Sequence, residues 1–333
     1  MKNALAVALL SLVAVSAAAQ GQRGFTPPKT PWGDPDLQGT WTSDDYIGVP
    51  LQRPAQYGNR LLLTDEEIAK NEARLKTQAE RDSQEFAAES AQVTTGPQGN
   101  LVDRGRRPPR QTSLIVDPPD GRMPALTADA MTRRQGIGAG NPNPNPASWE
   151  DFSYYIRCIT RGVAGSILPV IYGNGAQIVQ SPGYVMMLHE MVHEARVIPL
   201  GARPHVGSSI RSYMGDSRGR WDGNTLVVET TNFLPGKTGI GLNGGGTPTS
   251  DALKLTERFT RIEPNVTSYE LTVDDPKTYA RPWTIAFPLT REPGYQNFEY
   301  ACHEGNYGMH NQLSAARAEE AAAEAAKTSP QQK

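Results

Sequence analysis

The chain has almost no excess of charge of either sign, and this narrows the range of partners. Its 333 residues carry 33 Lys and Arg against 35 Asp and Glu, which gives a formal net charge of −2. Proteins that hold nucleic acid or an anionic membrane surface by charge have a clear basic excess. We therefore expect neither as the main partner.

Long apolar runs are missing except at the start of the chain. There Lys2 precedes an apolar stretch from Ala4 to about Val15, and three alanines at 17–19 offer a small-residue cleavage site. This pattern is typical of a secretory signal peptide over residues 1–19 rather than of a membrane span. We expect a periplasmic or secreted protein with no membrane span and an unknown oligomeric state.

Cysteine is scarce, since only Cys158 and Cys302 are present. An even cysteine count in an exported protein favours a disulfide. Paired in this way, Cys302 would hold His303 beside the segment that carries Arg157. A free Cys302 would instead form a Cys–His pair with His303, although nothing else in the sequence supports a thiol nucleophile.

Several catalytic signatures are also missing. There is no G-x-S-x-G nucleophile elbow, no glycine-rich phosphate loop between a strand and a helix, and no internal repeat. We expect one β-barrel-like domain over residues 20–313, with a helical and loop insertion at about 64–150. A tail over 314–333 should pass from an Ala/Glu-rich helix to disorder.

Short strands separated by turn residues dominate residues 150–305. They predict a mainly β fold, an antiparallel barrel rather than a parallel α/β sheet. Turns are expected at 181–183, at Asp222-Gly223 and at 263–265, and further strands at 281–291 and 297–304. Before this region, Thr64 and Glu67 form a capping box that should start a surface helix.

The segment from His189 to His193 spells H-E-x-x-H, the zinc-protease signature. In those enzymes a helix brings both histidines to one ion. Here the flanking residues indicate a strand, on which residues four apart are separated by roughly 13 Å. His189, Met191 and His193 should then share one face and Glu190 the other. We expect no cofactor, and zinc is kept only as a lesser alternative.

Histidines on the inner face of a barrel strand suggest a polar cavity, because buried polar groups are costly unless partnered or used. The other reading is that these histidines are solvated or structural. The functional reading adds charged and aromatic residues from neighbouring segments. Its candidate catalytic residues are His189, His193, Glu190, Asp216 and His303. Its candidate ligand-binding residues are Arg157, Arg196, Arg281, Trp283 and Tyr184.

Four long motifs, SLIVDPPDGR, MGDSRGRWDGNTLVVETTNF, LTVDDPKTYARPW and YACHEGNYG, resemble a family of exported bacterial proteins to which no activity is assigned. The resemblance gives no residue a role. Separately, Gly39 and Trp41 followed by an antiparallel meander are similar to the G-x-W opening of lipocalin-like (calycin) barrels. This second resemblance implies architecture only.

Three functions remain open at this point. The leading one is a metal-independent lyase, isomerase or hydrolase in which His189 or His193 acts as general base and Arg196 or Arg281 holds an anionic group. The second is a binding protein that carries a small organic ligand without catalysis. The third is a zinc-dependent hydrolase built on residues 189–193.

Overall fold

The computed structural model describes residues 25–82, 103, 105–135, 146–291 and 294–328. The predicted signal peptide lies outside these residues, as do parts of the predicted 64–150 insertion and the end of the tail. No helix in the described ranges is both long enough and apolar enough to span a bilayer.

The fold is mainly β, and nine antiparallel strands form a nearly closed barrel, which confirms the predicted fold class. Their order around the barrel is β5-β4-β3-β1-β10-β9-β8-β7-β6, and β2 pairs with β10 outside this path. Between β5 and β6 a parallel bridge joins Leu200 to Gly219. The strands are β1 Gly39–Thr42, β2 Ile115–Asp117, β3 Ala176–Ser181, β4 Tyr184–His189, β5 Ala195–Pro199, β6 Asp216–Asp222, β7 Thr225–Thr231, β8 Lys254–Glu263, β9 Val266–Asp274 and β10 Trp283–Arg291.

The predicted hairpin turns lie where the turn residues indicated, with one shift. Pro182 and Gly183 join β3 to β4, and Pro264 and Asn265 join β8 to β9. Between β6 and β7, Asp222 still pairs with Thr225, so the loop is Gly223-Asn224 and not Asp222-Gly223. Glycine suits the first loop position because its φ is +60° there.

Alternating side chains from the strands fill the barrel interior. Phe259, Tyr269 and Phe287 lie side by side on β8, β9 and β10, with ring centroids 4.9 and 5.4 Å apart. Trp41 is fully buried, and its indole Nε1 donates to the Leu37 carbonyl at 2.8 Å. The G-x-W segment thus lies in the core, while kinship with lipocalins stays a prediction.

Within the described residues, four α-helices accompany the barrel: α1 Asp65–Asp82, α2 Ala128–Gln135, α3 Gly162–Gly165 and α4 Tyr307–Thr328. The predicted capping box at the start of α1 is confirmed, because the Thr64 N–H donates to the Glu67 carboxylate and the Glu67 N–H donates to the Thr64 hydroxyl. The C-terminal helix is also confirmed, although it begins at Tyr307 rather than at Ser314.

Candidate functional site at the β4–β5 turn

The H-E-x-x-H segment is neither a helix nor a continuous strand. β4 ends at His189, whose N–H donates to the Glu194 carbonyl at 3.0 Å, and the chain reverses over the next four residues. The His193 N–H closes this turn by donating to the Glu190 carbonyl at 3.2 Å. Val192 has a φ of +65° and His193 a φ of +41°. A β-branched residue in this left-handed region is strained, and such strain clusters at functional sites.

The turn corrects the prediction that both histidines share one strand face. His189 is buried at the end of β4, whereas His193 is exposed on the turn. Because the chain reverses between them, neither the strand spacing nor the helical spacing of a zinc protease applies. Within the described ranges, no three His, Cys, Asp or Glu side chains are grouped so that they could hold a metal ion.

Glu190 is the side chain of the turn that is fixed by hydrogen bonds from two other segments of the chain. It is 9% exposed, and the Tyr295 hydroxyl lies 2.7 Å from each of its carboxylate oxygens. The Gly175 N–H donates to the same carboxylate at 3.3 Å. A Cβ at Gly175 would lie 2.7 Å from the Asn297 Oδ1 and 2.8 Å from the Glu190 Oε2. The absence of a side chain at Gly175 therefore permits this arrangement.

Two cavities border the turn. The smaller cavity, of about 310 Å³, is lined by Leu188, His189, Glu190, His193, Asn297, Phe298 and Glu299. The larger cavity, of about 500 Å³, includes Tyr155, Tyr172, Met191, Glu299, Tyr300, Glu304 and both cysteines in its lining. Glu299 belongs to both cavities. Three of the five predicted catalytic residues, namely His189, Glu190 and His193, are therefore brought together.

The predicted disulfide is confirmed, because Cys158 and Cys302 are bonded across 144 residues of chain. It fixes the C-terminal segment beside the β4–β5 turn, where Tyr300 makes a parallel bridge with Met191. That bridge is the one strand-like pairing within residues 297–304, so the strand predicted there is wrong. The segment is instead an irregular wall of the larger cavity.

His189 is buried without a well-formed hydrogen bond to either ring nitrogen within the described part of the chain. Burial lowers its pKa to about 3, and the charges of Arg196 and Arg161 act in the same direction, while the Ser166 backbone opposes them slightly. The imidazole is therefore neutral at ordinary pH. A histidine with so low a pKa is a weak general base, which argues against the role predicted for it.

Arg196 lies inside the barrel rather than at an open anion site. Its guanidinium forms a bidentate ion pair with Glu257, with N–O distances of 2.5 and 3.0 Å, and both side chains are buried. The Tyr269 hydroxyl donates to the same carboxylate at 3.2 Å. Close by, the Thr160 hydroxyl donates to Glu194 at 2.7 Å, and burial raises the pKa of that carboxyl.

The remaining predicted site residues do not converge on the turn. Asp216 binds the His205 Nδ1 at 2.8 Å and Arg218 at 2.6 Å on the outside of the barrel. Burial alone would raise the pKa of Asp216, but the Val206 N–H, His205 and Arg218 outweigh burial and lower it.

The aromatic and arginine candidates are scattered in the same way. Trp283 is fully buried in the hydrophobic core, and His303 is exposed next to the disulfide. The guanidinium of Arg157 lies 4.4 Å from the Trp149 ring centroid. Arg281 approaches Asp117 at 3.6 Å, and the Tyr184 hydroxyl accepts a hydrogen bond from Arg203. Arg157, Arg281 and Tyr184 therefore have structural partners of their own.

Tyr295, Asn297 and Gly175 were missed because nothing in their sequence context indicates a site. Tyr295 lies 105 residues from the carboxylate it binds, so no local pattern connects them. Glu257 did leave a signal, since it occupies an inward position between Leu255 and Phe259 in an alternating strand. No known protein family, curated protein or solved structure matches this chain.

Proposed function

We propose that the protein binds a small organic molecule in the two cavities at the β4–β5 turn. The supporting observation is the Glu190 carboxylate, which is nearly removed from solvent and forms part of the wall of the smaller cavity. Burying a charge is costly, and such groups concentrate where a ligand or reaction uses them. Concave sites with a few well-placed polar groups are the usual small-molecule sites.

An extracytoplasmic location is part of this proposal. The Cys158–Cys302 disulfide is the kind of crosslink that persists in oxidising compartments. A ligand found in the periplasm or outside the cell would reach the cavities directly, because both lie at the barrel end and have exposed rim residues such as Phe298 and Glu304.

Substituting Gly175→Ala should weaken ligand binding without a large loss of fold. The new methyl group would push the Asn297 amide and the Glu190 carboxylate apart, since it would approach each within 3 Å. Compounds that raise the melting temperature of the wild-type protein in a screen should then bind about tenfold more weakly, a change of about 1.4 kcal/mol. Binding constants by calorimetry measure this.

Gly207→Ala is the matched control, because its Cβ would approach no atom more closely than 4.0 Å and it lies on an exposed loop. It should bind the same compounds with unchanged affinity. Equal binding by the wild type and by Gly175→Ala would place the ligand elsewhere on the protein. If no compound stabilises the wild type, the proposal loses its support.

A second candidate function is acid–base catalysis in the smaller cavity. The observation that favours it is that Glu190 and His193 line the same cavity, so a carboxylate and an imidazole could act on one ligand. This keeps the predicted lyase, isomerase or hydrolase class but moves the base away from His189. It depends on a ligand that is converted, not merely bound.

His193→Gln should separate the two functions. If the site is catalytic, mass spectrometry should show that the wild type consumes a bound compound, and the variant should turn it over about 10²- to 10⁴-fold more slowly. Its binding constant should change little, because the side chain is exposed and the turn is closed by backbone groups. If mass spectrometry instead shows that the wild type leaves every bound compound unchanged, the protein binds its ligand without catalysis.

A further inference from the structure

We propose that the ligand of these cavities is a cationic organic molecule whose ammonium group lies against Glu190 and Asn297. This inference rests on the proposed function and names the ligand class of the same site. It is drawn from the charge of the cavity walls, from unused hydrogen-bond acceptors, and from the aromatic lining.

Apart from the two histidines of the smaller cavity, His189 and His193, the titratable side chains with a full charge that line the two cavities have one sign. Glu190, Glu299 and Glu304 are present, and no Lys or Arg lines either cavity among the described residues. The buried His189 adds no positive charge at neutral pH, because burial holds its pKa at about 3. A wall of this composition attracts a cation and disfavours an anion.

The hydrogen-bonding groups of the smaller cavity also call for a donor. The Asn297 Nδ2 donates to the Leu188 carbonyl at 3.4 Å, which orients the amide. Its Oδ1 is buried and has no partner within the described ranges. This oxygen and the Glu190 carboxylate both approach Gly175, so two acceptors lie side by side. An ammonium group supplies several donors and a compensating charge at once.

Two further acidic side chains, Asp103 and Asp44, act electrostatically on the Tyr295 phenol that binds Glu190. Burial raises the pKa of the Tyr295 phenol, and the negative charges of Glu190, Asp103 and Asp44 raise it further. The buried Arg161 lines neither cavity and donates to the carbonyls of Tyr172 and Gly173. Its guanidinium lies 5.2 Å from the centroid of the Tyr155 ring, so this ring already contacts a cation of the protein itself.

Aromatic walls complete the argument. Phe298 lines the smaller cavity, while Tyr155, Tyr172 and Tyr300 line the larger. The Tyr172 and Tyr300 rings are stacked, with centroids 5.8 Å apart and planes within 3°. Aromatic faces attract cations and also pack against apolar groups. The site therefore suits an amine or quaternary ammonium compound with an apolar or aromatic body.

Three probes of similar size and different charge test this on the full-length protein: 2-phenylethylamine, 2-phenylethanol and 3-phenylpropionate, each titrated by calorimetry at pH 7 with a chelator present. The amine should bind about tenfold more tightly than the alcohol, and the acid more weakly than either. Glu190→Gln should reduce the preference for the amine to about twofold. If Glu190→Gln fails to fold, Glu299→Gln takes its place in the test. Glu299 is exposed, and its substitution should reduce the preference for the amine in part. Glu66→Gln on the outside of α1 should leave it unchanged.

The outcomes distinguish the two proposals. Equal binding of amine and alcohol, or a preference for the acid, would overturn the cationic ligand while leaving a small-molecule site in place. The cationic ligand would also be overturned if all three probes fail but a neutral or anionic compound binds in a manner sensitive to Gly175→Ala. Failure of every compound to bind removes both proposals. A preference for the amine that survives both Glu190→Gln and Glu299→Gln would also refute the assigned ammonium position.

Discussion

Replacing Glu257 with leucine should destabilise the protein by about 3–5 kcal/mol, because it leaves the Arg196 charge buried without a partner. The guanidinium is enclosed in the barrel, where it contacts the Glu257 carboxylate and the Met187 sulfur. Urea unfolding followed by circular dichroism gives the free energy of unfolding. The double variant Arg196→Met/Glu257→Leu should recover most of the loss, since an apolar pair of similar volume is often neutral or better.

The exposed pair between Lys277 and Asp251 provides the control. Its two side chains are 56% and 43% exposed, so Asp251→Asn should leave the free energy of unfolding close to that of the wild type. The single variants Glu257→Leu and Arg196→Met each lower the free energy of unfolding by some amount. If the double variant loses the sum of these two amounts, the two side chains do not interact energetically. The ion pair would then be a geometric neighbour rather than a coupled unit.

Alternation of apolar residues was enough to predict most of the barrel. Strand β8 and most of strand β9 alternate buried and half-buried positions, and Pro and Asn mark the turn between them. The β4–β5 turn has none of these residues. Its left-handed positions are filled by Val192, a β-branched residue that disfavours them, and by His193, a weaker turn signal than Gly, so the sequence predicted one long strand.

The candidate site was only partly predictable for a related physical reason. His189, Glu190 and His193 stood out because they lie within five residues of one another. The groups that surround the carboxylate are the backbone N–H of Gly175, which precedes β3, and the side chains of Tyr295 and Asn297, which follow β10. Strand pairing and the Cys158–Cys302 disulfide bring these segments together, and single-sequence patterns do not report such long-range contacts.

Buried ionisable side chains on and around strands β4, β5 and β8 differ in how their charge is compensated. Arg161, His189, Glu190, Arg196 and Glu257 are all 9% exposed or less. Arg196 and Glu257 compensate each other, and Arg161 donates to backbone carbonyls. Glu190 accepts hydrogen bonds from Gly175 and Tyr295, but it forms no ion pair with a Lys or Arg of the described residues. This asymmetry separates the structural ion pair inside the barrel from the carboxylate available to a ligand.

His189 should make the protein lose stability as the pH falls below about 6.5, its ordinary pKa in an unfolded chain. The folded pKa is lowered to about 3, so between these values the unfolded state binds a proton that the folded state does not. The contribution of His189 to the free energy of unfolding is therefore complete above pH 6.5. It falls by up to about 1.4 kcal/mol for each unit by which the pH drops toward 3. The raised pKa of Glu194 acts in the opposite direction, but it is present in the variant as well.

His189→Leu should therefore flatten the pH dependence, and the difference from the wild type should reach about 2–3 kcal/mol between pH 7 and pH 4.5. Near pH 7 the variant should be about as stable as the wild type, because an apolar side chain replaces a buried imidazole without good partners. Urea unfolding at a series of pH values measures both. His310→Gln, at an exposed position on α4, should retain the wild-type slope. Parallel curves for His189→Leu and the wild type would contradict this prediction. They would mean that the imidazole binds a proton as readily in the folded protein as in the unfolded chain, because a neighbouring group offsets the effect of burial.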